Sequence, residues 1–393
     1  MSRSWDAVIV GGGIHGTGMA QAVAAAGHSV LLLERSALAA GSSSRSSKLI
    51  HGGLRYLESG QLRLVRESLH ERALMLRLAP ELVQLRRFHI PVYEHMRRRP
   101  WQLRIGLSLY ALLAGLDGAA RFGTLKRHAW SRLDGLETRG LERVFWYQDA
   151  QTDDALLTAA VMRSAQSLGA AFEIPAQFTD ATLTDAGVQV RYRAAGAPRE
   201  CSARVLINAA GPWAAAVAGA VSPAVTVPAL ELVQGTHLIL DTAPQQGVYY
   251  LESPRDGRAI FVMPWHGQLL LGTTEVRFQG DPGAVTPGAQ EIHYLLGVLR
   301  HYFPHYRDAQ AAAIRGAFAG IRVLPAGGGH AFHRSRETLL VTDRPDRPRL
   351  LSIYGGKLTT WRAVAARALE QIASALPARR PVARTDRLAL HPA

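Results

Sequence analysis

Cysteine is nearly absent from this sequence of 393 residues, in which Cys201 is the single example. One cysteine excludes an intrachain disulfide and suits a reducing compartment. The sequence also lacks a Cys/His cluster with metal-ligand spacing, so we expect no metal site, and it lacks the G-x-S-x-G motif of α/β-hydrolases. No secretory signal peptide is expected, because residues 1–5 are polar and an apolar run follows at once.

Acidic residues are also scarce. The chain has 31 Asp and Glu against 45 Lys and Arg, which gives a formal charge of +14. Part of this excess is a general bias toward arginine and alanine. Such a chain can bind nucleic acid, an anionic membrane or an anionic small substrate. Nucleic acid ranks last, because no recognition motif is present and the basic residues are not interleaved with stacking aromatics.

The most informative pattern lies in residues 6–34. Short apolar runs predict buried strands at 6–10 and 29–33, with an Ala-rich helix between them. The turn into that helix has G-x-G-x-x-G spacing, formed by Gly11, Gly13 and Gly16. These glycines let the backbone approach a pyrophosphate at a helix N-terminus, and Glu34 would accept hydrogen bonds from a ribose. The pattern predicts a dinucleotide site without separating FAD from NAD.

Later segments return to the same pattern. Residues 205–207 and 350–354 predict buried strands, each followed by a glycine turn and a helix, whereas 231–275 carries the apolar runs of a mostly antiparallel sheet. We therefore predict an α/β fold in which a discontinuous, doubly wound nucleotide-binding domain carries an inserted, mostly antiparallel β-sheet substrate domain. The expected boundaries are 1–80, 145–220 and 335–393 for the first domain, and 81–144 and 221–334 for the second.

Residues 101–116 predict an apolar helix with basic residues on both sides. The helix is too short to span a bilayer, which needs about 20 apolar residues. Two interpretations stay open at this point: a helix that lies in a membrane interface, and an ordinary buried helix with a solvated basic flank.

A Ser- and Gly-rich segment at 46–58 carries a more specific pattern. Its sequence, Ser-Ser-Lys-Leu-Ile-His-Gly-Gly-Leu-Arg-Tyr-Leu-Glu, resembles the signature of FAD-dependent glycerol-3-phosphate dehydrogenases, which belong to the D-amino-acid-oxidase-like flavoproteins. Further matches follow in order along nearly the whole chain, among them 208–213, 234–237, 261–265, 272–275, 319–322, 335–336 and 355–360. The resemblance implies FAD rather than NAD as the cofactor.

The resemblance also implies which residues form the cofactor site. Those expected to bind FAD are Gly11, Gly13, Gly16, Glu34, Ser46, Ser47, Lys48, His51, Gly52, Gly211, Gly355, Gly356, Lys357, Leu358 and Thr359. Reduced flavin carries negative charge near its N1 atom. Lys357 and a helix N-terminus after Gly356 would stabilise that charge, which makes Lys357 a candidate catalytic residue.

The substrate end of the site follows from the same matches. Arginine provides planar, permanently charged donors for a phosphate group, and the residues expected to bind one are Arg55, Tyr56, Arg322 and Arg336. Arg322 is also a candidate catalytic residue. We expect His237 to be the general base, because neutral imidazole accepts a proton near pH 7. His51 is the runner-up, and a hydrogen-bonded core histidine is the alternative interpretation of His237.

The function implied is oxidation of sn-glycerol 3-phosphate to dihydroxyacetone phosphate by hydride transfer to flavin, with electrons passed to a membrane quinone. One alternative is an oxidase of the same fold that uses O₂ or acts on another small hydroxy acid or amine. Another is a non-catalytic flavin-binding protein. We expect a cytoplasmic protein attached peripherally to the anionic inner face of the cytoplasmic membrane, with no nucleic-acid partner and with a homodimer as a possible assembly. His15 and Val323 depart from the residues usual in the family.

Overall fold

The computed structural model describes residues 4–96, 98–115, 118–308, 313–326 and 338–392. Its strands are β1 (Ser4–Val10), β2 (Val30–Leu33), β3 (Leu49–Ile50), β4 (Val83–Tyr93), β5 (Phe122–Thr124), β6 (Leu141–Thr152), β7 (Ala171–Glu173), β8 (Ala176–Thr184), β9 (Gly187–Ala194), β10 (Ala197–Asn208), β11 (Val221–Ser222), β12 (Leu230–Leu240), β13 (Val248–Glu252), β14 (Ala259–Trp265), β15 (Gln268–Gly272), β16 (Val276–Phe278), β17 (Ile314–Pro325), β18 (Leu339–Thr342) and β19 (Leu350–Tyr354). Its α-helices are α1 (Ile14–Ala25), α2 (Leu62–Leu78), α3 (Pro100–Leu113), α4 (Asp154–Ser167), α5 (Ala214–Gly219), α6 (Ala289–Tyr302) and α7 (Trp361–Ile372).

The first sheet has a parallel centre in the order β7-β2-β1-β10-β19. Both faces of this centre are buried, which explains the continuous apolar run of β1. Ala7 and Ile9 pack toward α1, α4 and α7 on one face. Val8 and Val10 pack on the other face against residues of β8 and β9. The antiparallel strands β8, β9 and the first half of β10 extend the sheet beyond the parallel centre.

The second sheet is mostly antiparallel, in the order β16-β12-β15-β14-β13-β4-β6-β3, with β17 on β12 and β5 on β6. Strands β4 and β13 form its parallel pair. Helix α6 packs on one face, where it contacts Leu238 and Leu240 of β12. Helices α2 and α3 pack on the opposite face, on the side to which Ile239 points. Since side chains alternate along a strand, His237 faces the same side as Ile239.

These sheets confirm the predicted fold class of an α/β protein with an antiparallel sheet inserted between nucleotide-binding segments. Strand β19 has the predicted bounds. Strand β10 is longer than the predicted 205–207, because its polar first half pairs with β9 outside the parallel centre. The exact domain boundaries stay a prediction. Strand β6 crosses the predicted boundary at 145 and lies entirely in the second sheet.

Helix α3 is the predicted apolar helix, and it ends at Leu113. Three of its residues are buried, namely Leu107, Tyr110 and Ala111. Trp101 and Ile105 point outward and are 63% and 60% exposed. In the part of the chain that the structure describes, no helix combines the length and the apolar character needed to cross a bilayer.

Candidate functional site

A cavity of about 640 Å³ lies at the carboxyl ends of the parallel strands β1, β10 and β19, and strands β12 and β17 of the second sheet close its far side. Ligands bind at this edge of a parallel sheet because the strand order reverses there and the turns leave a crevice. The cavity has two chemically different ends. We name them the glycine end, lined by the turns after β1 and β10, and the charged end, lined by residues from 55–56, β12, β17 and the turn after β19.

The three fingerprint glycines have three different structural reasons. Gly11 has φ +112°, and a Cβ atom there would lie 2.6 Å from the Ala209 carbonyl oxygen. A Cβ at Gly16 would lie 1.8 Å from the Gly11 carbonyl oxygen, so this glycine allows helix α1 to pack against the turn. Gly13 faces the cavity, and a Cβ there would lie 3.0 Å from the Ser43 hydroxyl. Gly13 is therefore the position where a side chain would obstruct a ligand most directly.

Glu34 closes the glycine end. One of its carboxylate oxygens accepts the Gly12 amide at 2.7 Å, and the other accepts the Ser36 amide at 2.9 Å. These two bonds fix the carboxylate at the end of β2, where it lines the cavity. The Ser36 hydroxyl also donates to the second oxygen at 3.1 Å, so the oxygen that accepts the Gly12 amide is the one with a lone pair to accept a ribose hydroxyl. Backbone approach at Gly13 and a fixed carboxylate at Glu34 together fit a dinucleotide.

The serine-rich loop after β2 borders the middle of the cavity. Ser43 accepts the Ile14 amide at 2.9 Å and thereby joins this loop to the start of α1. Ser46 and Ser47 line the cavity. Lys48 lies outside the lining, because its buried ammonium donates to Asp154 at 2.6 Å and also to the Ser44 carbonyl. Lys48 thus holds the loop from behind.

The turn after β19 forms one wall of the charged end. Gly355 and Gly356 both have positive φ, and Lys357 precedes a short 3-10 turn at 358–360 rather than α7 itself, which begins at Trp361. The Lys357 ammonium lies 3.8 Å from the centre of the Tyr56 ring. A cation held over an aromatic face at a cavity wall is positioned to attract negative charge on a ligand.

Arg322 reaches the charged end from strand β17. Its guanidinium donates to the Glu275 carboxylate at 2.7 Å and to the Thr274 carbonyl at 2.7 Å. Gly235 makes room for this group, since a Cβ there would lie 2.4 Å from an Arg322 nitrogen. These two bonds hold the guanidinium in place at the cavity wall.

His237 lies on β12 with its ring stacked on Phe318 at a centroid distance of 4.9 Å. Its Nε2 atom lies 3.0 Å from the Ser47 hydroxyl, whereas its buried Nδ1 has no hydrogen-bond partner among the described residues. Burial and the positive charges of Arg322 and Lys48 lower the pKa of His237 to about 3. The ring is neutral at pH 7, and it lines the cavity.

Most of the residues predicted for the site line this one cavity. They are Gly11, Gly13, Glu34, Ser46, Ser47, His51, Arg55, Tyr56, Gly211, His237, Arg322, Gly355, Gly356, Lys357, Leu358 and Thr359. Gly16, Lys48 and Gly52 lie behind the wall, where they support it. Arg336 lies outside the described residues.

Sequence reasoning missed several polar residues of the lining, among them Arg258 and His15. Arg258 lies between β13 and β14 and donates to the Glu275 backbone carbonyl at 2.9 Å. No motif surrounds it, so no local signal could have singled it out from the many other arginines. His15 also lines the cavity, and a Cβ at Gly356 would lie 2.1 Å from its ring. Burial, with a smaller contribution from Arg367, lowers the pKa of His15 to about 4. Its position within the fingerprint was the available signal.

Comparison with known proteins agrees with this geometry. Residues 6–362 match the family model of the FAD dependent oxidoreductases. The chain is 34% identical to D-erythritol 1-phosphate dehydrogenase of Brucella abortus, over 95% of this chain and 74% of that protein. It is 35% identical to the aerobic glycerol-3-phosphate dehydrogenase of Escherichia coli, over 93% of this chain and 73% of that protein.

A solved structure has the same fold. It is the glycerol-3-phosphate dehydrogenase of Bacillus halodurans in complex with FAD, with a TM-score of 0.77, 24% identity, and coverage of 99% of this chain and 68% of that one. The family match covers almost the whole chain, and the glycine end has the backbone and the carboxylate that a dinucleotide needs. The chain belongs to the FAD-dependent oxidoreductase family, is similar within it to glycerol-3-phosphate dehydrogenases, and has FAD as its cofactor.

Proposed function

We propose that the protein oxidises the secondary alcohol of sn-glycerol 3-phosphate to the ketone, dihydroxyacetone phosphate, and passes the electrons to a membrane quinone. The observation that carries this proposal is the charged end of the cavity. Arg55, Arg258, Arg322 and Lys357 all line it, so its positive groups converge on one space beside the flavin site. A small phosphorylated alcohol is the ligand that such a space favours. Several relatives at 34–36% identity are named for substrates of this class.

In this proposal the arginines bind the phosphate. Arg322 is already oriented by Glu275 and Thr274, which lowers the entropic cost of ordering its side chain on a ligand. Arg258, which lies just before β14, donates to the backbone carbonyl of the same residue, Glu275. The Glu275 charge offsets part of the positive charge of Arg322. A phosphate that binds here therefore joins a cluster in which the positive charges of the arginines and the negative charge of Glu275 already lie together, rather than binding to an isolated cation.

The alcohol loses a hydride and a proton in the reaction. FAD, when bound, accepts the hydride from the carbinol carbon. We assign the proton to His237, because its ring is neutral and its Nε2 atom points to the part of the lining that Ser47 forms. Stacking on Phe318 fixes the plane of the ring, so the lone pair keeps its direction.

The low pKa of His237 makes it a weak base until substrate binds. Burial is the main cause, and the positive charge of Arg322 is the next. A phosphate dianion paired with Arg322 cancels part of that positive potential and raises the pKa of His237. Substrate with a phosphate thus strengthens the base that deprotonates it, whereas glycerol does not.

D-Erythritol 1-phosphate is a second candidate substrate, favoured by the relative from Brucella abortus. It shares the phosphate and a secondary alcohol with glycerol 3-phosphate and is one carbon longer. The arginines of the charged end would bind either phosphate in the same way. The preference between the two substrates therefore depends on the space around the additional hydroxymethyl group.

Anaerobic mixing tests the proposal. Purified yellow protein is mixed with glycerol 3-phosphate, D-erythritol 1-phosphate, glycerol, lactate and amino acids, and bleaching of the flavin absorbance is followed. We expect rapid bleaching by a polyol phosphate and slow bleaching by the other compounds. Bleaching by lactate or an amino acid instead would assign the enzyme to another substrate class. No bleaching by any compound would favour a flavin-binding protein without catalytic activity.

A quinone acceptor requires access to a membrane, and helix α3 supports such access. Trp101, Ile105 and Leu112 point outward with exposures of 63%, 60% and 61%. Exposed basic residues lie before, within and after the helix, at Arg99, Arg104, Arg121, Lys126 and Arg127. An apolar face with basic surroundings inserts into an anionic interface, where each basic residue contributes about 1 kcal/mol at low salt. We infer peripheral attachment to the inner face of the cytoplasmic membrane through α3.

Liposome flotation tests this attachment. We expect binding to anionic vesicles that weakens with salt and that drops when Trp101 and Ile105 are both replaced by serine. Val382→Ser is the matched control, because Val382 is 65% exposed but lies far along the chain in the carboxy-terminal segment. Equal absence of binding to neutral and anionic vesicles at low salt would remove the membrane from the proposal and favour O₂ as the acceptor.

A further inference from the structure

The segment 51–58 carries five cavity residues on a stretch with little regular structure, and three of them, His51, Arg55 and Tyr56, have polar side chains. It leaves β3, turns at Gly53 with φ +77°, and forms a single 3-10 turn at 54–57. A segment of this kind has few backbone hydrogen bonds of its own, so contacts from behind determine where its side chains point.

One contact behind this segment is made by Tyr110 of helix α3. The Tyr110 hydroxyl accepts the Gly52 amide at 2.8 Å and donates to the Asp149 carboxylate at 2.6 Å. Burial and the Asp149 carboxylate raise the pKa of Tyr110 well above its usual range, so the hydroxyl keeps its proton. A Cβ at Gly52 would lie 2.5 Å from the hydroxyl oxygen and 2.6 Å from Leu69, so only a glycine lets the backbone come this close.

Asp149 is fixed in turn by Arg72 of helix α2. The Arg72 guanidinium donates to the carboxylate at 2.7 Å, to the Gln148 carbonyl at 3.0 Å and to the Ala119 carbonyl at 3.1 Å. Arg72, Tyr110 and Asp149 are all at most 2% exposed. A buried ion pair is weak evidence for stability, because apolar residues of similar volume stabilise a core as well or better. The hydrogen bonds of the Arg72–Asp149 pair, by contrast, are directional, and they fix one position for the Tyr110 hydroxyl that donates to Asp149.

We propose that Tyr110, oriented by the Asp149–Arg72 pair, is a positioning residue that fixes the Gly52 amide and thereby places Arg55 and Tyr56 at the charged end of the cavity. The same segment is also held near its two ends, at His51 and at Glu58. The His51 amide donates to the Thr359 hydroxyl at 3.0 Å, and Glu58 pairs with Arg98 at 2.7 Å. Tyr110 acts between these two points, next to the turn at Gly53. The proposal rests on the proposed function only for the identity of the substrate.

Tyr110→Phe removes the hydroxyl and keeps the ring, so the core packing of α3 is unchanged. Tyr249→Phe is the matched control: the Tyr249 hydroxyl donates to Asp134 at 2.7 Å, its ring is buried in the second sheet, and it does not line the cavity. Each variant loses one tyrosine–aspartate hydrogen bond. A purely structural role for Tyr110 predicts the same result for both proteins.

The first measurement is hydrogen exchange of the FAD-bound protein, followed by mass spectrometry of the peptide that covers 51–58. We expect about tenfold faster exchange at the Gly52 amide in Tyr110→Phe, the size of effect that one lost hydrogen bond gives, and no change in Tyr249→Phe. This readout does not depend on which substrate the enzyme uses. It therefore separates a failure of this proposal from a failure of the proposed function.

The second measurement is anaerobic stopped-flow reduction with the alcohol phosphate that reduces the wild-type flavin fastest. Since Arg55 and Tyr56 face substrate, we expect an apparent dissociation constant about tenfold higher in Tyr110→Phe, a smaller change in the limiting rate, and wild-type values in Tyr249→Phe. Wild-type exchange at 51–58 together with a wild-type dissociation constant in Tyr110→Phe would overturn the proposal. Equal changes in both variants would do the same.

Discussion

The two ends of the cavity present different kinds of groups to a ligand. At the glycine end the groups presented are backbone amides and one carboxylate, Glu34, which the Gly12 and Ser36 amides fix in place. At the charged end they are long side chains, each fixed by a partner: Arg322 by Glu275, Lys357 over Tyr56, His237 beside Ser47. The first end depends on the space that glycines leave, and the second depends on charge and on the direction of side chains.

This difference predicts two separable classes of variants. Substitutions at the glycine end should abolish FAD binding, whereas substitutions at the charged end should keep FAD and impair its reduction. A charged-end variant that loses FAD, or a glycine-end variant that keeps it, would contradict the claim that the two ends have separate roles.

The largest expected effect is that of Gly13→Val. The side chain would meet the Ser43 hydroxyl and enter the space of the pyrophosphate, so we expect colourless protein without bound FAD. Absorbance of the purified protein measures this. Gly297→Val on helix α6 is the control, since a Cβ there meets no atom within 4 Å, and it should stay yellow. Full yellow colour in Gly13→Val would refute the assignment of the glycine end.

His237→Ala should bind FAD and slow its reduction by roughly 10²–10⁴-fold, the usual contribution of a general base. Anaerobic stopped-flow mixing with glycerol 3-phosphate measures the rate. His89→Ala is the control, because His89 is equally buried in the second sheet but does not line the cavity. Reduction at the wild-type rate would exclude His237 as the base and leave His51 or a water molecule in that role.

Arg322→Lys keeps the charge and loses the planar fork, so it should weaken use of the phosphorylated substrate by about 2–4 kcal/mol of transition-state stabilisation. The ratio of kcat/KM between variant and wild type measures this. Arg315→Lys, at an exposed position of the same strand, should have no such effect. If glycerol and glycerol 3-phosphate are impaired equally, Arg322 does not bind the phosphate.

A smaller effect concerns stability in acid. The pKa of His237 lies near 3 in the folded protein and that of His15 near 4, both below the ordinary value of 6.5. Between pH 6.5 and about 4 the unfolded chain therefore binds protons that the folded chain does not, and stability falls as the pH falls. Each histidine contributes up to about 1.4 kcal/mol per pH unit.

Urea unfolding at several pH values between 6.5 and 4.5 measures this slope. His237→Gln should reduce the slope by about one proton, the equivalent of about 1.4 kcal/mol per pH unit. His70→Gln, at an exposed position of helix α2, is the matched control for the substitution itself. An unchanged slope in His237→Gln would mean that this ring is protonated as readily in the folded protein as in the unfolded chain.

The part of the glycine end that the turn after β1 and Glu34 form could be predicted almost completely from the sequence, because its residues lie close together along the chain. The βαβ unit, its three glycines and Glu34 lie within 29 residues, and the structure places Glu34 at the end of β2 as expected. Strand β19 and its glycine turn were predictable for the same reason.

The charged end was predictable only where a motif marked it. Arg258 has no motif around it, and its place beside Glu275 depends on the pairing of strands β14 and β15, which local sequence does not determine. Lys48 lies within the specific motif at 46–58, yet its ammonium donates to the buried Asp154 and does not reach the cavity. Sequence identifies the residue type at such a position, while tertiary packing decides the direction of the side chain.

The most direct test of the charged end is the ratio of two rate constants in the wild-type protein, for anaerobic reduction of bound FAD by glycerol 3-phosphate and by glycerol. In the proposed function the arginines bind the phosphate and the bound phosphate strengthens His237 as a base, so both effects would favour the phosphorylated alcohol. We predict a ratio of about 10² or more, the equivalent of at least two charged hydrogen bonds. Equal rate constants for the two alcohols would contradict the account.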